Sequence, residues 1–155
     1  MEKLDKLDKQ ILKLLQKDCS LNTKQIADKV GLTITPTYER IKRMEKTGVI
    51  QNYVALLNKE KVGKSLMIFC NVSLQLHSKP LLKRFEQTVV KFDEVMECYH
   101  TAGTFDYLLK VVATDMNNYQ DFITNKLAAL ENISHVQSSF VMTEVKYKTE
   151  IRLDY

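Results

Sequence analysis

Two short helices joined by a tight turn are written into residues 22–48, NTKQIADKVGLTITPTYERIKRMEKTG, and they constrain this chain more than any other stretch. Asn22 is placed to cap the first helix, and Gln25, three residues on, to close a capping-box pair. Leu21 and Ile26 stand at the positions of a hydrophobic staple. Ile26, Ala27 and Val30 share one apolar face, and Gly31 falls where a helix ends in a left-handed residue. A second start follows at Thr33 or Thr35, with Pro36 in a first turn where its missing N–H would be unpaired anyway. Thr37, Ile41 and Met44 line one side of this second helix, and Gly48 ends it.

Stepping about 100° per residue from Ile41 turns Thr35, Glu39, Lys42, Arg43 and Lys46 outward. Hydroxyl, carboxylate, ammonium and guanidinium groups on one rigid rod suit a DNA-reading helix: donors and acceptors for base edges at its start, cations for phosphate along its flank. The candidate contact set is Thr33, Thr35, Tyr38, Glu39, Arg40, Lys42, Arg43 and Lys46. The plainer alternative is a helical hairpin whose polar side is only solvated.

Charge placement supports the first reading. Residues 1–58 hold eleven Lys/Arg against seven Asp/Glu, and the remainder holds twelve of each, so the net +4 belongs to the N-terminal third. A basic module joined to a neutral one suits phosphate binding plus a separate second task. No apolar run approaches the ~18 residues of a membrane span, and the charged N-terminus is unlike a signal peptide, so a cytoplasmic protein without membrane partners is expected. Cys19, Cys70 and Cys98 form no CxxC pair and His77, His100 and His135 are scattered, which predicts no metal site.

In chain order, Leu4, Leu7, Ile11, Leu14 and Leu15 predict a helix over residues 4–17, capped by Asp5 with Asp8 favouring its N-terminus. Residues 49–57 have the β-branched and aromatic content of a strand with no local partner, so pairing with a second copy of the chain is expected. The predicted organisation is a helix-turn-helix domain over 1–50, a strand-containing linker over 51–63, and a second domain over 64–155. That domain reads β-α-β-β-α-β: strand 65–76, helix 78–92, strands 95–101 and 107–113, a helix capped by Asp115 with Met116, Tyr119, Phe122, Ile123 and Leu130 inward, and strand 136–145. This order predicts a ferredoxin-like antiparallel sheet with both helices on one face, within an α+β chain. The other face calls for a partner sheet.

The turn at residues 101–107, TAGTFDY, has two readings. It is either a hairpin loop using Gly103 for a positive φ, or a ligand loop. In the second, Asp106 takes an ammonium while threonine hydroxyls and backbone N–H groups hold a carboxylate, which are the two ends of a free amino acid.

Several of these segments, in one order, resemble the Lrp/AsnC family of bacterial and archaeal transcriptional regulators. They are LDKLDKQIL from Leu4, GLT from Gly31, ERIKRME from Glu39, GVI from Gly48, GTFDYLLKV from Gly103, DMNNY from Asp115 and FVMTEVK from Phe140. The resemblance spans residues 4–148. It implies a winged or strand-extended helix-turn-helix, a ferredoxin-like sensing and dimerisation domain, double-stranded operator DNA as partner, and self-assembly into dimers and octamers of four dimers. It implies a small amino acid effector at dimer–dimer contacts, in a region lined by His100, Thr101, Gly103, Thr104, Asp106, Met116, Ser138, Ser139, Phe140 and Val141. No cofactor is implied. Two departures stand out. Thr104 replaces an acidic residue common after the loop glycine, and Cys19-Ser20 replace a Gly-Arg pair, removing a phosphate contact. An enzyme on the same fold lacks support, because neither a nucleophile–base pairing nor a phosphate loop is readable.

Overall fold

The computed structural model describes residues 4–153, so the outermost residues of the two predicted domains, 1–3 and 154–155, lie outside the described residues. Residues 1–56 group with 146–155 as one compact unit, and residues 57–145 form another. The last ten residues of the predicted 64–155 domain therefore belong to the first unit, and the expected 51–63 linker straddles the boundary.

In the first unit, helices α1 (Lys6–Lys17), α2 (Thr23–Val30) and α3 (Ile34–Lys46) close around Ile11, Leu12, Ile26, Ile41 and Met44. The starts obey the cap signals. Asp5 and Asn22 each close a capping box, with Asp8 and Gln25 as the returning side chains. Thr33 occupies the N-cap of α3 without a side-chain cap bond. Gly31 ends α2 at φ 72° and Gly48 follows α3 at φ 74°, both left-handed. Such a small core needs supplements. One is the tail: the Gln16 amide donates to the Ile151 carbonyl at 3.1 Å and accepts from its N–H at 2.7 Å, and Leu153 packs on the helical core.

The other supplement is Asp8. Its side chain is 1% exposed, yet its oxygens accept from Arg40 at 2.7 Å and Arg43 at 2.6 Å as well as from the Asp5 N–H at 3.1 Å. Arg40 also donates to Asp5 at 2.6 Å. The Asp8 backbone N–H bonded to Asp5, with the Arg40 guanidinium beside it, holds the Asp5 carboxyl below the usual carboxylate range. One capping box thus ties the start of α1 to the back of α3.

The expected strand over 49–57 does not form. Among the described residues this segment has no regular structure, and Val54, Leu56 and Leu57 are exposed. A strand exists only with a partner, and among the described residues none pairs with it. The segment is tied back at a few points: the Ile50 N–H donates to the Met44 carbonyl at 3.0 Å, the Tyr53 hydroxyl to Glu45 at 3.0 Å, and the Val54 carbonyl accepts from the Cys19 thiol at 3.9 Å.

The second unit is the predicted four-stranded sheet. Strands β1 (Leu66–Leu74), β2 (Val95–His100), β3 (Tyr107–Ala113) and β4 (Ile133–Phe140) lie in the order β2-β3-β1-β4, all pairs antiparallel. Helix α4 (Lys79–Val89) and helix α5 (Met116–Asp121), which runs into a π-helical turn over Phe122–Leu127, supply Phe85, Val89, Tyr119, Phe122 and Leu127. These meet the inward strand residues Ile68, Cys70, Val72, Leu74, Tyr107, Leu109 and Val111. Three expectations need correction. Strand β4 stops at Phe140, leaving Met142 and Val145 exposed, because beyond Val141 no further residue pairs with β1. Strand β1 stops at Leu74 after a register shift, leaving Leu76 exposed. Met116 opens α5 on its outer side, 54% exposed, rather than facing in.

Replacing Asp8 by Asn should destabilise the first unit by about 2 kcal/mol, because two guanidiniums lose a buried countercharge while remaining partly solvated. Thermal unfolding followed by circular dichroism should show a lower midpoint. An unchanged midpoint would mean that the ion pairs add nothing to stability.

Candidate DNA-reading face and effector loop

Helix α3 turns Thr37, Ile41 and Met44 inward and leaves Thr35, Tyr38, Glu39, Lys42, Arg43 and Lys46 exposed. Thr33 is exposed just before it, and Arg40 is half-buried against α1. Ile34, at the first helical position, is 52% exposed beside Tyr38 at 50%. That exposure is not legible in the sequence, where an isoleucine reads as core.

The cations of α3 are largely committed. Arg40 and Arg43 are held by Asp5 and Asp8, and Lys42 bonds Glu45 at 2.6 Å while lying 5.7 Å from the Tyr38 ring centroid. Lys46 has no ion-pair partner among the described residues. The sequence marked all four as equals, because carboxylates 32 and 35 residues away leave no local signature.

The loop between β2 and β3 is a built structure. Gly103 adopts φ 150°, a conformation that favours glycine. The Thr101 hydroxyl donates to the Phe105 carbonyl at 2.8 Å, and its N–H donates to the Asp106 carbonyl at 2.8 Å. Asp106 accepts from the Leu74 N–H at 2.7 Å through one carboxylate oxygen and meets His77 Nε2 at 2.9 Å through the other. Burial would raise its pKa, but the Leu74 N–H and the His77 ring outweigh that and hold the carboxyl below its ordinary range. The three histidines, scattered in the sequence, gather here. His100 stacks on Tyr107 at 4.7 Å and His135 lies 6.5 Å from Phe105. Among the described residues no group of three acidic, histidine or cysteine side chains could hold a metal.

The other expected sensing residues lie elsewhere. Ser138 and Phe140 surround Tyr119, whose hydroxyl bonds Ser138 at 2.5 Å and lies 3.2 Å from the Cys70 thiol, with the Phe140 ring edge-on at 5.2 Å. Burial, then the Cys70 contact, push the Tyr119 hydroxyl up, and burial does the same to the Cys70 thiol. Met116 begins the same helix as Tyr119, Ser139 pairs with Phe69 on the outward face of the sheet, and Val141 donates to Met67 at 3.0 Å. In register, Val72 meets Tyr107 at the loop end while Ile68 meets Phe140. At about 3.3 Å per residue, the four residue steps from Ile68 to Val72 set the two groups roughly 13 Å apart. The expected single region is therefore two within one chain, with His100, Thr101, Gly103, Thr104 and Asp106 at one end of the strands and Met116, Ser138, Phe140 and Val141 towards the other.

Comparison with known proteins bears on both units. The model of the Lrp/AsnC ligand binding domain matches residues 67–151, and that of a winged helix-turn-helix DNA-binding domain matches residues 4–51. The chain is 38% identical over 151 residues to the DNA-binding transcriptional activator DecR of Escherichia coli K12, covering 97% of this chain and 99% of that one. It is 36% identical over 148 residues to the leucine-responsive regulatory protein of the same organism, covering 96% and 90%. An AsnC family transcriptional regulator from Agrobacterium tumefaciens superposes with a TM-score of 0.93 at 43% identity, covering 98% and 99%. The L-Met complex of a transcriptional regulator from Neisseria meningitidis gives 0.94 at 35% identity, covering 98% of each chain. With a helix-turn-helix unit and a ferredoxin-like unit matched over nearly their whole length, the chain belongs to the Lrp/AsnC family of DNA-binding transcriptional regulators.

Proposed function

We propose that this cytoplasmic regulator reads operator DNA through the outward face of α3, as a dimer or a larger assembly, and that a small amino acid modulates it. The observation that carries the reading is the division of α3. Its arginines are drawn back onto Asp5 and Asp8, while Thr35, Tyr38, Glu39 and Lys46 stay exposed at its front. In this reading Tyr38 and Ile34 supply apolar contact, Thr33, Thr35 and Glu39 supply polar readout, and Lys42 and Lys46 supply phosphate contact. Arg40 and Arg43 orient the helix first and touch DNA second. Tyr38→Ala should weaken operator binding by about 1–3 kcal/mol while leaving binding to unrelated duplex unchanged. Equal weakening on both duplexes in a gel-shift titration would take Tyr38 out of base reading.

Assembly follows from what the chain leaves uncovered. Residues 49–57 carry exposed Tyr53, Val54, Leu56 and Leu57, and the sheet face opposite α4 and α5 carries the half-buried Phe69 and Leu108. A second copy supplies both a strand partner and a facing sheet. The dimer is the unit of this proposal, with four dimers as its larger form. Sedimentation at micromolar concentration should find no 18.0 kDa species; a stable one would refute it.

The effector reading rests on the ligand binding domain match and on the likeness to a regulator solved with L-Met. Because the two groups of sensing residues sit at opposite ends of the strands, one ligand would reach both only where copies meet. Asp106 then has two candidate duties, meeting the ammonium or clamping Leu74 and His77. Asp106→Asn separates them, since the amide oxygen still accepts from Leu74 but carries no charge. After a thermal-shift screen of the twenty amino acids beginning with methionine, calorimetry should show at least tenfold weaker binding in the variant. Unchanged affinity would leave Asp106 as a clamp only.

A further inference from the structure

Both carboxylate oxygens of Asp106 are engaged, but by partners of different kinds. Leu74 is buried, and its N–H, fixed at the end of β1, donates to one oxygen at 2.7 Å. The other oxygen meets His77 Nε2 at 2.9 Å, and the His77 side chain is 58% exposed. A carboxylate only accepts, so Nε2 carries the proton. The first partner is part of the sheet; the second is a ring that water solvates once it swings away.

His77 is held opposite Asp106 by a local device. Beyond Leu74 the chain is fastened by Asn132, the one non-glycine residue at positive φ among the described residues, at 76°. Its backbone carbonyl accepts from the Gln75 N–H at 2.8 Å and its side-chain oxygen from the Leu76 N–H at 2.8 Å, while its amide donates to the Leu76 carbonyl at 2.8 Å. Asp106 is fixed on its own side, donating to the Val72 carbonyl at 3.0 Å and accepting from the Thr101 N–H at 2.8 Å. With both backbones anchored, His77 is the partner that side-chain rotation alone removes.

Among the described residues, the cationic groups facing this carboxylate are histidines, and no lysine or arginine pairs with it. His77 follows β1, and His100 comes from the end of β2, where its ring stacks on Tyr107. The turn before β4 presents the neutral Asn132, and His135 of β4 lies against Phe105. Imidazoles change charge between about pH 5 and 8. A neutral ring offers Asp106 one N–H, and a protonated ring adds a charge at the same distance. An effector ammonium brings three donors and a charge to the same oxygen.

We propose that His77 competes with the effector's ammonium for Asp106, so that the amino acid binds by displacing the His77 ring and acid weakens binding by making that ring harder to displace. This rests on the reading in which Asp106 meets the ammonium. To it are added the residue that sets affinity there and the way in which pH regulates it.

The full chain is compared with His77→Ala and His77→Gln by calorimetry against L-methionine, or against the strongest hit of the amino acid screen where methionine is silent. Circular dichroism checks each fold. Wild-type affinity should be at least about threefold lower at ~pH 5.5 than at ~pH 7.5, a range in which a free amino acid remains a zwitterion. At the lower pH His77→Ala should bind at least about threefold more tightly than wild type, and the pH difference should largely vanish in both variants. Glutamine keeps a neutral donor, so it separates loss of the titrating charge from loss of bulk. Equal affinity of wild type and His77→Ala at both pH values would overturn the proposal. So would a pH difference that persists in His77→Gln and is lost in His100→Gln, which would make His100 the rival. Tightening of His77→Ala by one factor at both pH values, with no pH difference in wild type, would mean that the ring only obstructs the site. An Asp106→Asn variant that binds as well as wild type, or silence of every protein towards all twenty amino acids, would instead defeat the effector reading beneath it.

Discussion

The carboxylate of Asp8 is the contact on which the DNA-binding unit turns. It closes the capping box of α1, and it anchors Arg40 and Arg43 of α3 from a site with almost no solvent exposure. A lone buried carboxylate would be costly; two guanidiniums and a backbone N–H make it tolerable and directional. With Arg40 and Arg43 bonded to α1, the exposed side chains of α3 still include Thr35, Tyr38, Glu39, Lys42, Arg43 and Lys46. The orientation of α3 against α1 is thus held electrostatically by a helix cap 32 residues upstream of Arg40.

That arrangement changes how the module's charge is used. A basic helix is easily taken as a phosphate grip, yet most of the positive groups on α3 are neutralised within the unit. Sequence-specific contact gains from this, since an unpaired cation binds any duplex and blunts discrimination.

The sensing unit shows a comparable economy. Asp106 uses both carboxylate oxygens inside the chain, so the loop shape built on Gly103 is preorganised. The buried Cys70–Tyr119–Ser138 chain, with Phe140 edge-on, likewise orders the far end of the strands. The two ordered clusters lie roughly 13 Å apart along β1.

Local signals determined much of this protein. Asn22, Gln25, Gly31 and Gly48 placed α2, the turn after it and the end of α3, with two candidate starts for α3 at Thr33 and Thr35, and alternation placed β3 over Tyr107–Ala113. Periodicity of two or of 3.6 and the short-range chemistry of caps act over a few residues, which is why they can be read without coordinates. The order of elements was enough for a ferredoxin-like topology, because few connections of that order are open to a short chain. Tertiary structure decided what depends on distant partners. The commitment of Arg40 and Arg43 to Asp8, the gathering of three histidines about one loop, the return of residues 146–153 to α1, and the π-helical turn at Phe122–Leu127 leave no local trace. Residues 49–57 show the same limit from the other side: their composition is that of a strand, but a strand is a property of two segments, and one chain provides only the first.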